Sequence, residues 1–402
     1  MVLFCHGAGC GIVKVTSLKL KVERKRAFFE TCAREWRLVF FVKRLLVVIC
    51  VGLGLAVTSC AAYYDDLGTL EKINGEMTKG NEFADMFTVD GEAFFPIGIW
   101  GTHGTSYYQE MKDHGINFLV VWLNDERMAK IKEVGLYACS QIYGQYDSQF
   151  IKYLNENRVL YWYSYDEPYF NNISPEIMLD AYNIIKNKDS RPVFYSISPS
   201  GDTKSYLSSY DILGVDEYPI PYTSPVNVYK RIIIEYIKTN YSKPIINNIQ
   251  AFPWGNKRPP SPEELRVMVY LSLIANAKGI AYFSFGFSGW FLPNDKDLWS
   301  MIREVNSEIL KIKDVLVLGK QTDIVSTNNI HIKYRTISYN GKIFLICANS
   351  QNTHQKIIFK FSTQDLTSIT NYLSDENFNI NQNIFVSSFS PYQTVVYAIN
   401  KD

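Results

Sequence analysis

The sequence predicts an α/β protein: a closed (β/α)8 barrel followed by a small C-terminal antiparallel β-sandwich. Three observations support this. Between residues 94 and 287, eight short runs rich in aromatic and β-branched residues alternate with stretches of helical length. No glycine-rich phosphate loop follows the first run, as a doubly wound open sheet would have. Beyond residue 318 the helical period stops, and short strand-like runs are separated by Asn, Ser and Gly turns.

Taken in order, the first segment is an address. Lys43-Arg44 precedes the apolar run Leu45–Val57, then Thr58-Ser59-Cys60. A basic flank, a short apolar stretch and small residues at a cut site are the layout of a secretory signal peptide. Thirteen apolar residues are too few for an ordinary membrane span of about 20. Val42 directly precedes the basic pair, and no Met lies between Met1 and Met77. Residues 1–41 are therefore expected to be a mis-assigned extension, residues 42–59 the signal peptide, and residues 60–86 a polar tether.

The strands of the barrel, residues 87–318, are expected at Phe94–Trp100, Asn117–Leu123, Gly135–Ile142, Val159–Tyr165, Pro192–Ser198, Ile212–Tyr218, Pro244–Phe252 and Gly279–Phe287. Helices are clearest at Ser174–Lys186, Ser224–Thr239 and Ser261–Ala277. Ser174-Pro175-Glu176 and Ser261-Pro262-Glu263 each supply an N-cap hydroxyl, a proline at the first helical position and a first-turn acid. A helix over Asp295–Ile312 closes the barrel. Residues 319–402 follow as the sandwich, with strands at Ile330–Ile337, Lys342–Ala348, Lys356–Phe361, Ile384–Phe389 and Thr394–Ile399.

Composition excludes several classes. The chain of 402 residues is 47% hydrophobic and 15% aromatic, too apolar for a disordered chain. Its net charge of +1 removes the basic footprint that nucleic-acid binding needs. That neutrality is an average. Residues 1–59 hold ten of the 41 Lys and Arg but three of the 40 Asp and Glu, so the remainder has 31 basic against 37 acidic residues. Of seven cysteines, Cys139 and Cys347 lie in separate strand-like runs and read as isolated buried thiols. No Cys or His spacing suggests a metal site, and no cofactor is expected.

In such a barrel the active site is built at the carboxyl ends of the strands. Strand four ends Tyr161-Trp162-Tyr163-Ser164-Tyr165-Asp166-Glu167-Pro168, and strand six ends Gly214-Val215-Asp216-Glu217-Tyr218-Pro219. Two acidic clusters facing across an aromatic mouth suit glycoside hydrolysis. One carboxyl protonates the leaving oxygen while the other attacks the sugar or activates water. Their surroundings must separate the two pKa values. Trp122, Trp162, Tyr218 and Trp290 are candidates for stacking on sugar faces, and His103, Asn247 and Gln250 for binding hydroxyls.

The Phe-Phe-Pro-Ile-Gly opening of strand one, Asp166-Glu167-Pro168 and the Asp-x-Tyr-Pro of Asp216–Pro219 resemble bacterial TIM-barrel glycoside hydrolases over about residues 88–315. The resemblance implies that Glu167 is the acid/base. It also implies a nucleophilic Glu at the end of strand seven, where this chain has Asn247-Asn248-Ile249-Gln250 and no carboxylate. Three explanations remain open. The second carboxylate has moved to strand six, Asp166 assists a substrate-derived nucleophile, or catalysis is lost. The first is preferred, with Asp216 as the partner and Glu217 in reserve, because adjacent strand residues face opposite ways and the resemblance is to Asp-x-Tyr-Pro.

Val57-Thr58-Ser59-Cys60 likewise resembles the lipobox of bacterial lipoproteins, which implies lipidation at Cys60 and a membrane-anchored protein of the cell envelope. The expected partner is a carbohydrate. Two further function classes stay open: a glycan-capturing lipoprotein on a catalytically dead barrel, and a structural envelope protein making its contacts through the sandwich.

Overall fold

Eight parallel strands close into a barrel in the computed structural model, which describes residues 83–142, 148–198, 201–363 and 366–401. The strands are β1 (Ile97–Trp100), β2 (Phe118–Val121), β3 (Tyr137–Gln141), β4 (Val159–Asp166), β5 (Val193–Ile197), β6 (Ile212–Asp216), β7 (Ile245–Gln250) and β8 (Gly279–Phe283). Each pairs with its sequence neighbour, and β8 returns to β1 through Ile280 beside Ile97 and Tyr282 beside Ile99. The expected extension, signal peptide and lipidation site Cys60 lie outside the described residues.

The alternation of the pleat decides what fills the barrel. Inward positions include Phe118, Cys139, Tyr161, Tyr163 and Phe194, all buried. Room for these rings comes from two glycines. A Cβ on Gly98 would lie 2.3 Å from the Phe118 ring, and one on Gly214 would lie 2.4 Å from Ser196 Oγ. Part of the expected tether instead belongs to the fold. A 3-10 turn, Ala84–Phe87, buries Phe87, and the Met86 carbonyl accepts a hydrogen bond from Tyr161 at 3.4 Å.

Outer helices are α1 (Tyr108–Asp113), α2 (Asp125–Val134), α3 (Ser148–Lys152), α4 (Pro175–Lys186), α5 (Val226–Lys238), α6 (Pro262–Ile274), α7 (Lys296–Lys311) and α8 (Lys313–Leu318). Both Ser-Pro-Glu openings act as caps. Ser174 accepts from Ile177 N, and Ser261 forms a reciprocal capping box with Glu264. Among its described residues, the crossover after β5 holds a 3-10 turn, Lys204–Tyr206, beside which Asp202 accepts from the backbone N–H groups of Lys204 (3.0 Å) and Ser205 (3.4 Å).

The C-terminal region is a two-sheet sandwich with more strands than the five expected. One sheet runs Lys320–Thr322, Ile332–Tyr339, Lys342–Asn349, Thr394–Lys401, Leu366–Asn371, Asn377–Asn379 in spatial order; the other runs Val325–Thr327, Gln355–Phe361, Ile384–Phe389. The added strands are short or polar, which hides their period. Cys347 sits in its core, while Cys139 lies in the barrel; both are buried free thiols. Arg266 on α6 ties the sandwich to the barrel, donating to Thr394 Oγ1 (2.9 Å) and pairing with Glu308 on α7 (2.6 Å).

Candidate active site

The site begins with an irregularity in β4. Its register against β5 runs Trp162 beside Val193 and Tyr163 beside Phe194, then shifts so that Asp166 lies beside Ser196. In an unbroken strand, residues three apart face opposite ways. The bulge puts Asp166 on the same inner face as Tyr163, whose hydroxyl donates to Asp166 Oδ1 at 2.5 Å. Glu167 follows with φ of +37°, a region that side chains other than glycine enter at a cost. A tight turn holds it there. The Glu167 carbonyl accepts the N–H of Phe170 (2.9 Å) and of Asn171 (3.1 Å), and the Asn171 side chain donates to the Asp166 carbonyl (2.7 Å).

Across the mouth, Asp216 is the last residue of β6 and is 8% exposed. Asn248 of β7 lies beside it in register and donates to Asp216 Oδ1 at 2.5 Å. Burial pushes the Asp216 carboxyl well above the usual carboxylate range, and the nearby charges of Glu167 and Asp166 push it further; hydrogen bonds from Asn248 and Tyr218 oppose this. Asp166 is also raised, by burial, against the pull of its Tyr163 hydrogen bond. Glu167 and Asp166 therefore lie close enough to Asp216 for their charge to act on it. Among the described residues, no group of three or more His, Cys, Asp and Glu is arranged to hold a metal ion.

Glu217 behaves differently, as the pleat requires. It points to the helix layer, where the charge acting on it is Arg231 of α5, and its Oε2 has no hydrogen-bond partner. Burial raises its pKa to about 7. Because the folded value lies above the ordinary 4.5, the fold favours the protonated form. Stability from this group is thus greatest at low pH, falls as pH rises from 4.5 to about 7, and is level above that. Glu217→Gln is expected to stabilise the protein at pH 8 by up to about 3 kcal/mol and to change nothing at pH 4, read from urea midpoints. Equal pH dependence in both proteins would reject this.

Several residues expected at the mouth face elsewhere. Trp162 is fully buried on the outer face of β4, edge-on to Phe150 (4.8 Å between centroids) and under the Arg191 guanidinium, so it cannot meet a sugar. Asn247 likewise points outward and donates to Ser272 on α6 at 3.0 Å. Gln250 is buried and spent on backbone: its amide accepts from Ile220 N (2.8 Å) and donates to Ile220 O (2.7 Å). It shapes the loop after β6.

Others stand at the rim. Trp122, just past β2, is 38% exposed. His103 is exposed and bonds the Gly286 carbonyl through Nε2 (3.2 Å), linking the loops after β1 and β8. Half-buried Trp290 donates to the Ala251 carbonyl (2.8 Å). Tyr218 stacks on Phe283 (5.6 Å, 25°), and Phe252, Trp254 and Phe287 extend the same aromatic wall. Trp254 and Phe283 were missed in the sequence; their place just past β7 and at the end of β8 was the available signal. Trp100, Tyr163 and Asn248 were also missed as contributors, being read as strand residues.

No family model matches the chain, and no curated protein matches it in sequence. In fold it is similar to solved structures. An α-amylase from Geobacillus thermoleovorans in complex with acarbose aligns with a TM-score of 0.55 at 9% identity, over 76% of this chain and 98% of that one. A noncanonic maltogenic α-amylase from Thermotoga neapolitana gives 0.54 at 10%, over 76% and 98%. A GH27 β-L-arabinopyranosidase from Geobacillus stearothermophilus gives 0.51 at 10%, over 76% and 96%. At such identity the likeness is one of fold: a barrel with an antiparallel sheet domain behind it.

Proposed function

We propose that this protein is a glycoside hydrolase whose reacting groups come from the ends of β4 and β6. The observation that supports it best is the gathering of Asp166, Glu167 and Asp216 at one mouth, with the most buried of them, Asp216, made hard to ionise by its setting and by its neighbours' charge. Two carboxyls with separated proton affinities are what glycosidic cleavage requires. On this reading the roles expected from the sequence resemblance exchange. Asp216, which burial makes harder to ionise, donates its proton to the leaving oxygen. Glu167, half-buried on the strained turn, is the charged carboxylate that meets the anomeric carbon or the attacking water. Asp166 adds negative charge that keeps the Asp216 proton in place. Exposed rings of Trp122, Trp254 and Phe287 provide flat surfaces for sugar faces.

The test is a panel of oligo- and polysaccharides incubated with the wild-type protein and with a Glu167→Ala/Asp216→Asn double variant, scoring new reducing ends. Release by the wild type alone supports the reading. Equal release by the double variant would sink it. Since β7 offers no carboxylate, a glycan-capturing protein is the second reading. Calorimetric binding of a panel member with no product after long incubation would favour it.

A further inference from the structure

Asn248 is 1% exposed, and each polar atom of its side chain has a partner. Its Oδ1 accepts from Trp100 Nε1 at 2.9 Å. Its Nδ2 donates to Ser196 Oγ at 2.9 Å and to Asp216 Oδ1 at 2.5 Å. An indole N–H can donate and never accept. Rotating the amide by half a turn would therefore set its NH2 against the indole N–H, donor against donor, and would take the N–H donor away from Asp216. Trp100 is itself fixed, edge-on to Tyr163 (5.1 Å) and to Phe283 (6.2 Å).

We propose that Asn248 is a positioning residue, locked by Trp100 in the amide orientation that presents a donor to Oδ1 of Asp216 and so keeps the transferable proton off that oxygen. This rests on the reading of Asp216 as proton donor, and it adds a relay from β1 through β7 to β6. Burial and the charges of Glu167 and Asp166 at the end of β4 hold the Asp216 proton, while the Asn248 donor, with that of Tyr218, favours the ionised form. Without the Asn248 donor the carboxyl would hold its proton more tightly.

The test is a set of variants read two ways: the basic limb of the pH profile of kcat/KM on a responsive glycan, and the titration of Asp216 followed by carboxyl carbon NMR, which needs no activity. Asn248→Ala removes the donor, and the Asp216 titration is expected to move up by about one pH unit. Trp100→Phe never touches Asp216, yet it frees the amide to turn; the same upward movement is expected. The Trp100→Phe/Asn248→Ala double variant should match Asn248→Ala alone, because the lock has nothing left to hold. Ser196→Ala removes the acceptor of the other amide proton and should leave the Asp216 titration in place. Thermal unfolding of each variant accompanies the series.

An unmoved titration in Asn248→Ala or Trp100→Phe, or additive shifts in the double variant, overturns the proposal. Loss of activity in Asp216→Asn, with the Asp216 titration unmoved in Asn248→Ala, would reject the relay and leave the glycosidase reading standing. A moved titration in a protein inert toward every glycan would do the reverse.

Discussion

Asp216→Asn is expected to lower kcat/KM on a natural glycan by about 10²- to 10⁴-fold, the scale of a lost general acid. The asparagine keeps the shape of the side chain beside Asn248 but has no proton to give to a glycosidic oxygen. The leaving group makes the test specific. A nitrophenyl glycoside departs as a stable anion, so its hydrolysis should fall by less than about tenfold. The pH profile supplies a second sign. A general acid works while protonated, so wild-type activity holds below the folded pKa of Asp216 and falls as pH rises through it. Burial holds that carboxyl well above the ordinary carboxylate range, and on the proposed reading the basic limb is expected to belong to it. In Asp216→Asn the limb should disappear. Equal losses on both substrates with the limb retained would place the proton donor elsewhere.

Glu167→Ala is expected to cost on the order of 10⁴-fold on both substrates, because the anomeric carbon needs its charged partner whatever the leaving group. The comparison with Asp216→Asn is what separates the roles. A carboxylate that attacks or activates water is needed with every substrate, whereas a proton donor is needed with poor leaving groups alone. Glu167→Ala should also lower the folded pKa of Asp216, since the Glu167 charge helps keep that proton bound. If Glu167→Ala spared the nitrophenyl glycoside while Asp216→Asn abolished its hydrolysis, the two roles would be reversed, as the sequence resemblance alone implies.

The expectations that failed share a cause. Trp162, Asn247 and Glu217 lie at strand ends among aromatic and acidic residues, which is what points to them in the sequence. Each proved to be the outward-facing neighbour of an inward one: Tyr163, Asn248 and Asp216. Alternation says that neighbours face opposite ways without saying which faces in. The preference for Asp216 over Glu217 drew on alternation together with a motif, and the structure places Asp216 inside. For Asn247 and Asn248 no motif helped, and the inner residue was passed over.

What the sequence determined by itself is local. The eight strand-like runs, the Ser-Pro-Glu helix starts and the acidic ends of strands four and six are set by period, capping chemistry and residue type within about ten positions. Tertiary structure decided the rest. The bulge in β4 turns Asp166 to the inside, closure of β8 on β1 brings the two ends of the barrel sequence together, and Trp100 meets Asn248 across 148 positions. The reason is physical. The phase of each pleat and the partners of a buried polar group are fixed by what lies across the barrel, and no window along the chain contains both sides.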